Sequence, residues 1–227
     1  MSHYHSARIG RSNSTYNSEF MTKVYGWMTF ALFITGFVSI FVSATPVIMN
    51  TLIENTWLFY GLLIGEIILV IYLAASIDDL SYESAFMLFF IYSALNGVTL
   101  SIVFLIYTAE SVATTFFITG GTFGAMSLWG LTTKQDLSSW GNILFMGLIG
   151  LIIAGVANVF IGSETFQYVI SFIGVIVFVA LTAYDTQKIK NLSHNGDSKD
   201  ALMGALTLYL DFINLFLYLL RFLGNKK

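Results

Sequence analysis

The sequence contains no cysteine and few charged side chains, and each shortage excludes a class of protein. Of its 227 residues, 10% are charged and 56% are hydrophobic, whereas soluble domains have about 25% charged residues. So few charges cannot cover the surface of an ordinary soluble enzyme, nor keep a chain disordered. The net charge of −3, without a basic stripe, argues against nucleic-acid binding. Without cysteine there is no disulfide scaffold, thiolate metal site or cysteine nucleophile.

Histidine is also scarce, and its positions do not favour a metal site or a catalytic base. His3, His5 and His194 all lie in polar stretches, so they offer no buried imidazole cluster. The sequence has no P-loop, no nucleophile-elbow GxSxG and no HExxH metal motif. We therefore expect no enzymatic activity, no catalytic residue, no cofactor and no tightly bound metal.

Long apolar runs dominate what remains. A bilayer core of about 30 Å needs about 20 apolar residues per spanning helix. Seven runs qualify, at 24–43, 57–75, 84–107, 112–131, 140–161, 166–184 and 201–223. The prediction is an all-α polytopic membrane helical bundle of seven transmembrane helices, with Pro46, the one proline, closing the first. Residues 1–23 are predicted to be a polar cytoplasmic tail, 24–223 a single transmembrane domain and 224–227 a C-terminal tail.

The basic residues predict the orientation, because they collect on the cytoplasmic side of membrane proteins. Seven of the ten lie in the N-terminal tail and in two loops, at Arg8, Arg11, Lys23, Lys134, Lys188, Lys190 and Lys199. The loops 44–56, 108–111 and 162–165 carry none, which indicates a cytoplasmic N-terminus. Seven full spans would place Arg221, Lys226 and Lys227 outside, and a re-entrant last helix would place them inside. The sequence leaves these two arrangements open.

Three acids lie within or at the rim of apolar runs, with no base beside them in the sequence. They are Glu66, Asp185 and Asp211. An ionised carboxylate in the bilayer is costly, so such groups face the bundle interior, find partners or become protonated. Glu66 is equally compatible with a hydrogen bond to Asn96 or Asn158 and with an ion pathway.

The two aspartates belong together by topology. With a cytoplasmic N-terminus, the sixth span descends to the cytoplasm near Asp185 and the seventh returns from that side through Asp211. Two acids on adjacent antiparallel helices can then approach, share a proton and titrate as a unit. Such a pair suits a proton-sensitive latch, a transient cation site or a catalytic dyad. An acid at the end of a helix that is bonded only locally is the alternative for Asp185.

Small residues form two stripes that favour helix contacts. The stripes are Gly120, Gly121, Gly124 and Ala125 in the fourth run, and Gly147, Gly150, Ala154 and Gly155 in the fifth. We expect them to let helices of this chain approach one another, with docking of another protein as the alternative.

Five segments give the sequence a family resemblance. They are VYGWMT at 24–29, LFFIYSALNGVTLS at 88–101, FGAMSLWGLTTKQDLSSWGN at 123–142, GVIVFVALTAYDTQKIKN at 174–191 and GALTLYLDFINLFLYLLRFLGN at 204–225. The chain resembles the Bax inhibitor-1 family, the transmembrane Bax inhibitor motif proteins, most closely its bacterial YbhL-type branch. The resemblance implies a seven-helix bundle with the last helix central, in the bacterial inner membrane. It also implies a proton-dependent leak of calcium or another cation.

In that family picture two aspartates form the pH-sensing pair that holds the pore closed, and they match Asp185 and Asp211. Glu66, Asn96, Asn158 and Asn214 are the candidate pathway groups. A basic latch late in the second helix is also implied, but Ser76 stands at that position here, with Asp78 and Asp79 following. The pair is therefore carried over and the latch is not.

Two other functions stay open at this point. One is a non-transporting regulator that contacts membrane proteins, such as a membrane protease or a cell-death factor. The other is an intramembrane aspartyl protease built on Tyr184-Asp185 and Asp211. Proteases resembling presenilin have glycines beside the second aspartate, whereas here Leu208, Tyr209 and Leu210 crowd it. The expected partners are the lipid bilayer and membrane proteins such as a membrane protease, with no nucleic acid.

Overall fold

The structure, a computed structural model, describes residues 2–192 and 197–227, with side chains from residue 18 onward. The side chains of His3, His5, Arg8 and Arg11, and the whole of His194, lie outside the described part. The described residues form helices joined by short connections, as the all-α prediction requires. The helices are α1 (Ser2–Ser43), α2 (Pro46–Glu54), α3 (Thr56–Ser76), α4 (Tyr82–Leu100), α5 (Val103–Ile106), α6 (Ala109–Thr132), α7 (Trp140–Ile161), α8 (Glu164–Leu192) and α9 (Ser198–Leu223).

Six stretches of the described chain are long and apolar enough to cross a membrane. They lie in α1, α3, α4 with α5, α7, α8 and α9. Helix α6 holds the predicted run 112–131 but is not among them. Its centre is rich in threonine and glycine, with seven such residues between positions 114 and 124, and these lower its hydropathy. Six of the seven predicted spans therefore coincide with helices of spanning character.

Two connections differ from the sequence prediction. The segment 44–56, expected to be a loop, contains α2, which begins at Pro46. Proline suits the first turn of a helix because its φ is already helical and no hydrogen bond is lost there. The predicted span 84–107 is divided, because the amide of Ser101 is shared between the carbonyls of Gly97 and Val98, and α5 starts two residues later.

The chain divides into two compact units, one of Met1–Ile106 with Lys190–Tyr209 and one of Tyr107–Ile189 with Leu210–Lys227. Within the first unit α1 packs along α4, and α3 packs on the same helix. Gly97 permits this approach, because a Cβ there would clash with the carbonyl of Thr35. The prediction of one domain over 24–223 stays a prediction.

In the second unit α8 and α9 run antiparallel, and aromatic contacts mark their register. The ring of Tyr168 lies 4.6 Å from that of Phe222, and Phe178 stacks on Tyr218 at 5.6 Å. Gly174 provides the space for the Tyr218 ring, since a Cβ there would overlap it. Continued along the two helices, this register places Asp185 of α8 beside Asp211 of α9.

The C-terminal tail returns to the beginning of α6 within the second unit. The amide of Asn225 donates to Oγ of Ser111 at 2.9 Å, and the amide of Thr108 donates to the carbonyl of Asn225 at 3.2 Å. Lys226 Nζ lies 4.0 Å from a carboxylate oxygen of Glu164, at the start of α8. The tail therefore lies at the end of this unit where α6 and α8 begin, opposite the 133–139 loop that follows α6.

Candidate functional site

The carboxyl groups of Asp185 and Asp211 lie close enough that each acts on the charge of the other. Asp211 lies in the middle of α9, is 5% exposed, and its Oδ2 has no hydrogen-bond partner in the described structure. Asp185 is half-buried, seven residues before the end of α8. The two acids that the topology predicted to meet are thus brought together by the α8–α9 register.

This contact has a direct chemical consequence. An ionised carboxylate only accepts hydrogen bonds, so a bond between two carboxyl groups requires a proton on one of them. Two carboxyl groups this close can share one proton. Oδ2 of the buried Asp211 has no hydrogen-bond partner in the described structure. Carboxylate oxygens are ligands for hard cations such as calcium. Among the described residues no group of three or more His, Cys, Asp or Glu could hold a metal.

The surroundings of the pair correct one sequence-based expectation, that no base lies near these acids. The charge of Lys188, one turn after Asp185 on α8, acts on the Asp185 carboxylate. Its Nζ also lies 6.0 Å from the ring centre of Tyr184. Because side chains three residues apart share a helix face, α8 brings its own cation to the rim of the pair.

Glu66 forms a separate polar cluster in the first unit. Its Oε1 accepts from Thr99 Oγ1 at 3.0 Å, and its Oε2 accepts from Asn96 Nδ2 at 3.4 Å. Glu66 is 6% exposed, and Oδ1 of Asn96 has no partner in the described structure. Of the two amides considered for Glu66, Asn96 is the correct one and Asn158 is wrong.

Asn158 instead closes α7 in the second unit. Its Nδ2 donates to Gln167 Oε1 at 3.0 Å, and its Oδ1 accepts from the amide of Ser163 at 3.2 Å. These bonds secure the turn at Gly162, whose φ of 66° is the left-handed conformation that glycine adopts without strain. Asn158 is thereby explained as a helix-end residue.

The remaining candidate residues have local partners. Asn214 Nδ2 donates to the carbonyl of Leu210 on its own helix at 2.8 Å. Ser76, the last residue of α3, accepts from the amides of Asp79 and Leu80 at 3.0 Å. In the same unit Lys199 Nζ donates to the carbonyls of Asp78 and Leu80 at 2.8 and 3.2 Å. The loop after Ser76 is thus held by a lysine from the start of α9.

Sequence reasoning missed two further groups of polar side chains. Tyr209, fully buried in the first unit, shares a 2.7 Å hydrogen bond with Thr35. In the second unit Gln187 bonds the backbone of the 133–139 loop through both ends of its amide. The available signals were the place of Gln187 two residues after Asp185, and the apolar Leu137 in an otherwise polar loop.

Contrary to expectation, most glycines of the two small-residue stripes do not lie against another helix among the described residues. A Cβ would meet nothing within 4 Å in the structure at five of their glycines, Gly120, Gly121, Gly124, Gly150 and Gly155. The close helix contacts use glycines outside the stripes, at Gly97, Gly130 and Gly174. A short side chain permits close packing, but the neighbouring helix decides whether it occurs.

Comparison with known proteins identifies the family of this chain. Residues 17–227 match the family model described as Inhibitor of apoptosis-promoting Bax1. The inner membrane protein YbhL of Escherichia coli K12 is 51% identical over 215 residues, covering 92% of each chain. A Rickettsia prowazekii protein is 41% identical over 92% of this chain and 90% of its own, and a Streptococcus pyogenes membrane protein is 39% identical over 92% and 93%. The chain belongs to the Bax inhibitor-1 family and is an integral membrane protein.

Proposed function

We propose that this protein is a pH-gated cation leak, with calcium as the ion, closed by the Asp185–Asp211 pair. The observation that carries the proposal is the close approach of two carboxyl groups on two helices of membrane-spanning character. The unpartnered Oδ2 of the buried Asp211 supplies the oxygen that a passing cation would meet.

The gate follows from the proton that the pair holds. When that proton leaves, two negative charges face each other in a low-dielectric place, and their repulsion favours separation of α8 from α9. The freed carboxylates then offer oxygen ligands to a hard cation. Lys188 is the cationic group that acts on the rim of the pair. The leak should therefore increase as the pH rises.

Glu66 is proposed as a second group on the ion pathway. It is a buried carboxylate within an apolar helix, and Asn96 beside it has a carbonyl oxygen without a partner. Thr99 and Asn96 hold the carboxylate by hydrogen bonds, which is the kind of oxygen-rich cluster that a cation can enter.

The membrane arrangement belongs to the proposal as well. We place the N-terminus in the cytoplasm of a bacterium, from the distribution of lysine and arginine, and the chain in the inner membrane, as the name of its relative YbhL says of that protein. Helix α6 would be the seventh crossing. A central α9 is supported by burial, because 67% of its apolar window is buried, against at most 33% in the other five.

The test is calcium flux into proteoliposomes between pH 6 and 8. Asp185→Asn and Asp211→Asn keep the side-chain shape but cannot ionise, so each should abolish the rise in flux with pH. Asp79→Asn, an exposed carboxylate between α3 and α4, is the matched control and should behave as wild type. Unchanged flux and unchanged pH dependence in both pair variants would refute the gate.

A regulator that binds other membrane proteins is the second candidate, and one observation favours it. The glycines at positions 120, 121, 124, 150 and 155 face open space in the structure, so they leave room for a helix of a partner. Stoichiometric co-purification of a membrane protein, such as a membrane protease, together with zero flux in liposomes would favour this function over the leak.

Proteolysis by the aspartate pair is not part of the proposal. Leu208 and Tyr209, which precede Asp211, are large and fully buried side chains, whereas proteases resembling presenilin have glycines beside the second aspartate. Cleavage of a transmembrane peptide by the purified protein, lost in Asp211→Ala, would contradict this.

A further inference from the structure

The five residues 183–187 of α8 all have specific contacts, and the contact of Asp185 is with α9. Ala183 is covered by α6, because a Cβ on Gly130 would clash with its backbone carbonyl. Tyr184 lies against Gly141 at the start of α7, where a Cβ would meet its hydroxyl. This segment is thus fixed on one side to the end of α6 and the beginning of α7, while its aspartate meets Asp211.

The next two residues complete the attachment. The hydroxyl groups of Thr186 and Ser127 share a hydrogen bond of 3.0 Å between a residue of α8 and one of α6. Gln187 then reaches the loop between α6 and α7. Its Oε1 accepts from the amide of Leu137, and its Nε2 donates to the carbonyl of Gln135, both at 2.8 Å. Both halves of the Gln187 amide are satisfied by one loop.

Leu137 shows that the loop is docked. It is 0% exposed although the residues on both sides of it, Asp136 and Ser138, are exposed. An apolar side chain buried in a polar loop, together with two hydrogen bonds from one glutamine, fixes the 133–139 loop on α8 two residues from the aspartate pair. The 133–139 loop and the turn of α8 that carries Asp185 are therefore expected to move together.

We propose that Gln187 is a positioning residue for the aspartate pair, and that the 133–139 loop must leave Gln187 before Asp185 can separate from Asp211. The loop would then act as a strap on the gate, and the pH response of the leak would depend on its attachment. This inference deepens the proposed function and rests on it, because it assumes that separation of the pair opens the leak.

The strap is tested first without any flux measurement, by hydrogen–deuterium exchange of the full-length protein in nanodiscs. Gln187→Ala removes both bonds to the loop, so the amide of Leu137 should exchange about tenfold faster or more. Gln187→Glu keeps the acceptor for the Leu137 amide and loses the donor to Gln135, so it should lie between Gln187→Ala and wild type. Gln135→Ala is the matched control, because Gln135 accepts the bond from Gln187 through its backbone carbonyl, which the substitution keeps.

Calcium flux between pH 6 and 8 provides the second readout. Gln187→Ala should leak at a lower pH than wild type, with its pH profile shifted to the acidic side, and Gln135→Ala should not differ from wild type. An unchanged exchange rate of the Leu137 amide in Gln187→Ala would refute the claim that Gln187 holds the 133–139 loop. Faster exchange with an unchanged flux profile would overturn the coupling to the gate.

Failure of the proposed pH-gated leak would be recognised by different results from failure of the strap. If flux of the wild type does not change with pH, or if Asp185→Asn retains the wild-type profile, the proposed gate fails and the strap's role in gating fails with it. A gate that responds to Asp185→Asn and Asp211→Asn but not to Gln187→Ala overturns the strap alone. The two failures are therefore told apart by the aspartate variants.

Discussion

Gly174→Ala should loosen the helix pair that holds the aspartates. Gly174 lies on α8 against the ring of Tyr218, and an added Cβ would overlap that ring. The ring has little freedom to move, because Phe178 stacks on it at 5.6 Å and the Arg221 guanidinium lies 5.4 Å from its centre. The added methyl group must therefore push α8 and α9 apart at this level.

The size of the effect comes from two opposing terms. Overpacking a close contact costs about 1–3 kcal/mol, whereas replacing glycine by alanine in a helix gains up to about 1 kcal/mol. Gly150→Ala is the matched control, because nothing lies within 4 Å of a Cβ there. It should have unchanged or slightly higher stability. Because the helix-propensity gain is common to both alanine variants, Gly174→Ala should have a free energy of unfolding about 1–3 kcal/mol below that of Gly150→Ala.

Denaturant titration of the purified protein in detergent micelles would measure the difference between these variants. The same proteins in liposomes should show a higher calcium leak for Gly174→Ala at low pH, since a wider α8–α9 separation moves the two aspartates apart. Equal stability of the two alanine variants would refute the reasoning, because it would mean that α8 and α9 do not meet at Gly174.

Three further predictions concern the loop, the tail and a buried tyrosine. The backbone and side-chain hydrogen bonds from Ser138 hold the pKa of Asp136 below its ordinary value of 3.8, so any stabilisation from this carboxylate is lost only as the pH falls below that value. Asp136→Asn should therefore leave the pH profiles of both unfolding and calcium flux unchanged between pH 6 and 8, and a shifted profile would contradict this. The sequence has no cysteine, so Asn225→Cys and Ser138→Cys can be labelled singly with an impermeant thiol reagent in spheroplasts and inverted vesicles. They should react from opposite faces of the membrane, because the tail and the 133–139 loop lie at opposite ends of their unit, and labelling from the same face would exclude a full crossing by α9. Tyr209→Phe removes the 2.7 Å bond to Thr35 and should lower the free energy of unfolding by about 1 kcal/mol, while unchanged stability in the same denaturant titration would mean that this bond is dispensable.

The sequence predicted the helices well because the bilayer imposes a strong length and hydropathy rule. It failed where a local effect competes with that rule. Pro46 was read as the end of a span, yet its fixed φ also starts α2. The threonines and glycines of α6 made its apolar character weaker than that of the other predicted spans.

Some residues of the candidate site could be found from the sequence alone, and others could not. Asp185, Asp211 and Glu66 stood out because an acid in an apolar run is costly, which a single sequence reveals. Gln187 did not stand out, because a glutamine near a helix end is ordinary until the loop that it binds is known. The choice of Asn96 over Asn158 as partner of Glu66 likewise required the packing of α3 on α4.

Composition and hydropathy alone determined that this chain is a helical membrane protein, and its motifs determined its family. Composition and hydropathy are sums over residues, and motifs are short segments of sequence. None of them depends on which residues are neighbours in the folded structure. Only the tertiary structure decided which helix faces meet, that Asp185 and Asp211 approach each other, and that most glycines of the two stripes meet no other described residue. Contacts between distant residues depend on helix register, and register follows from the fit of whole surfaces such as Gly174 against Tyr218.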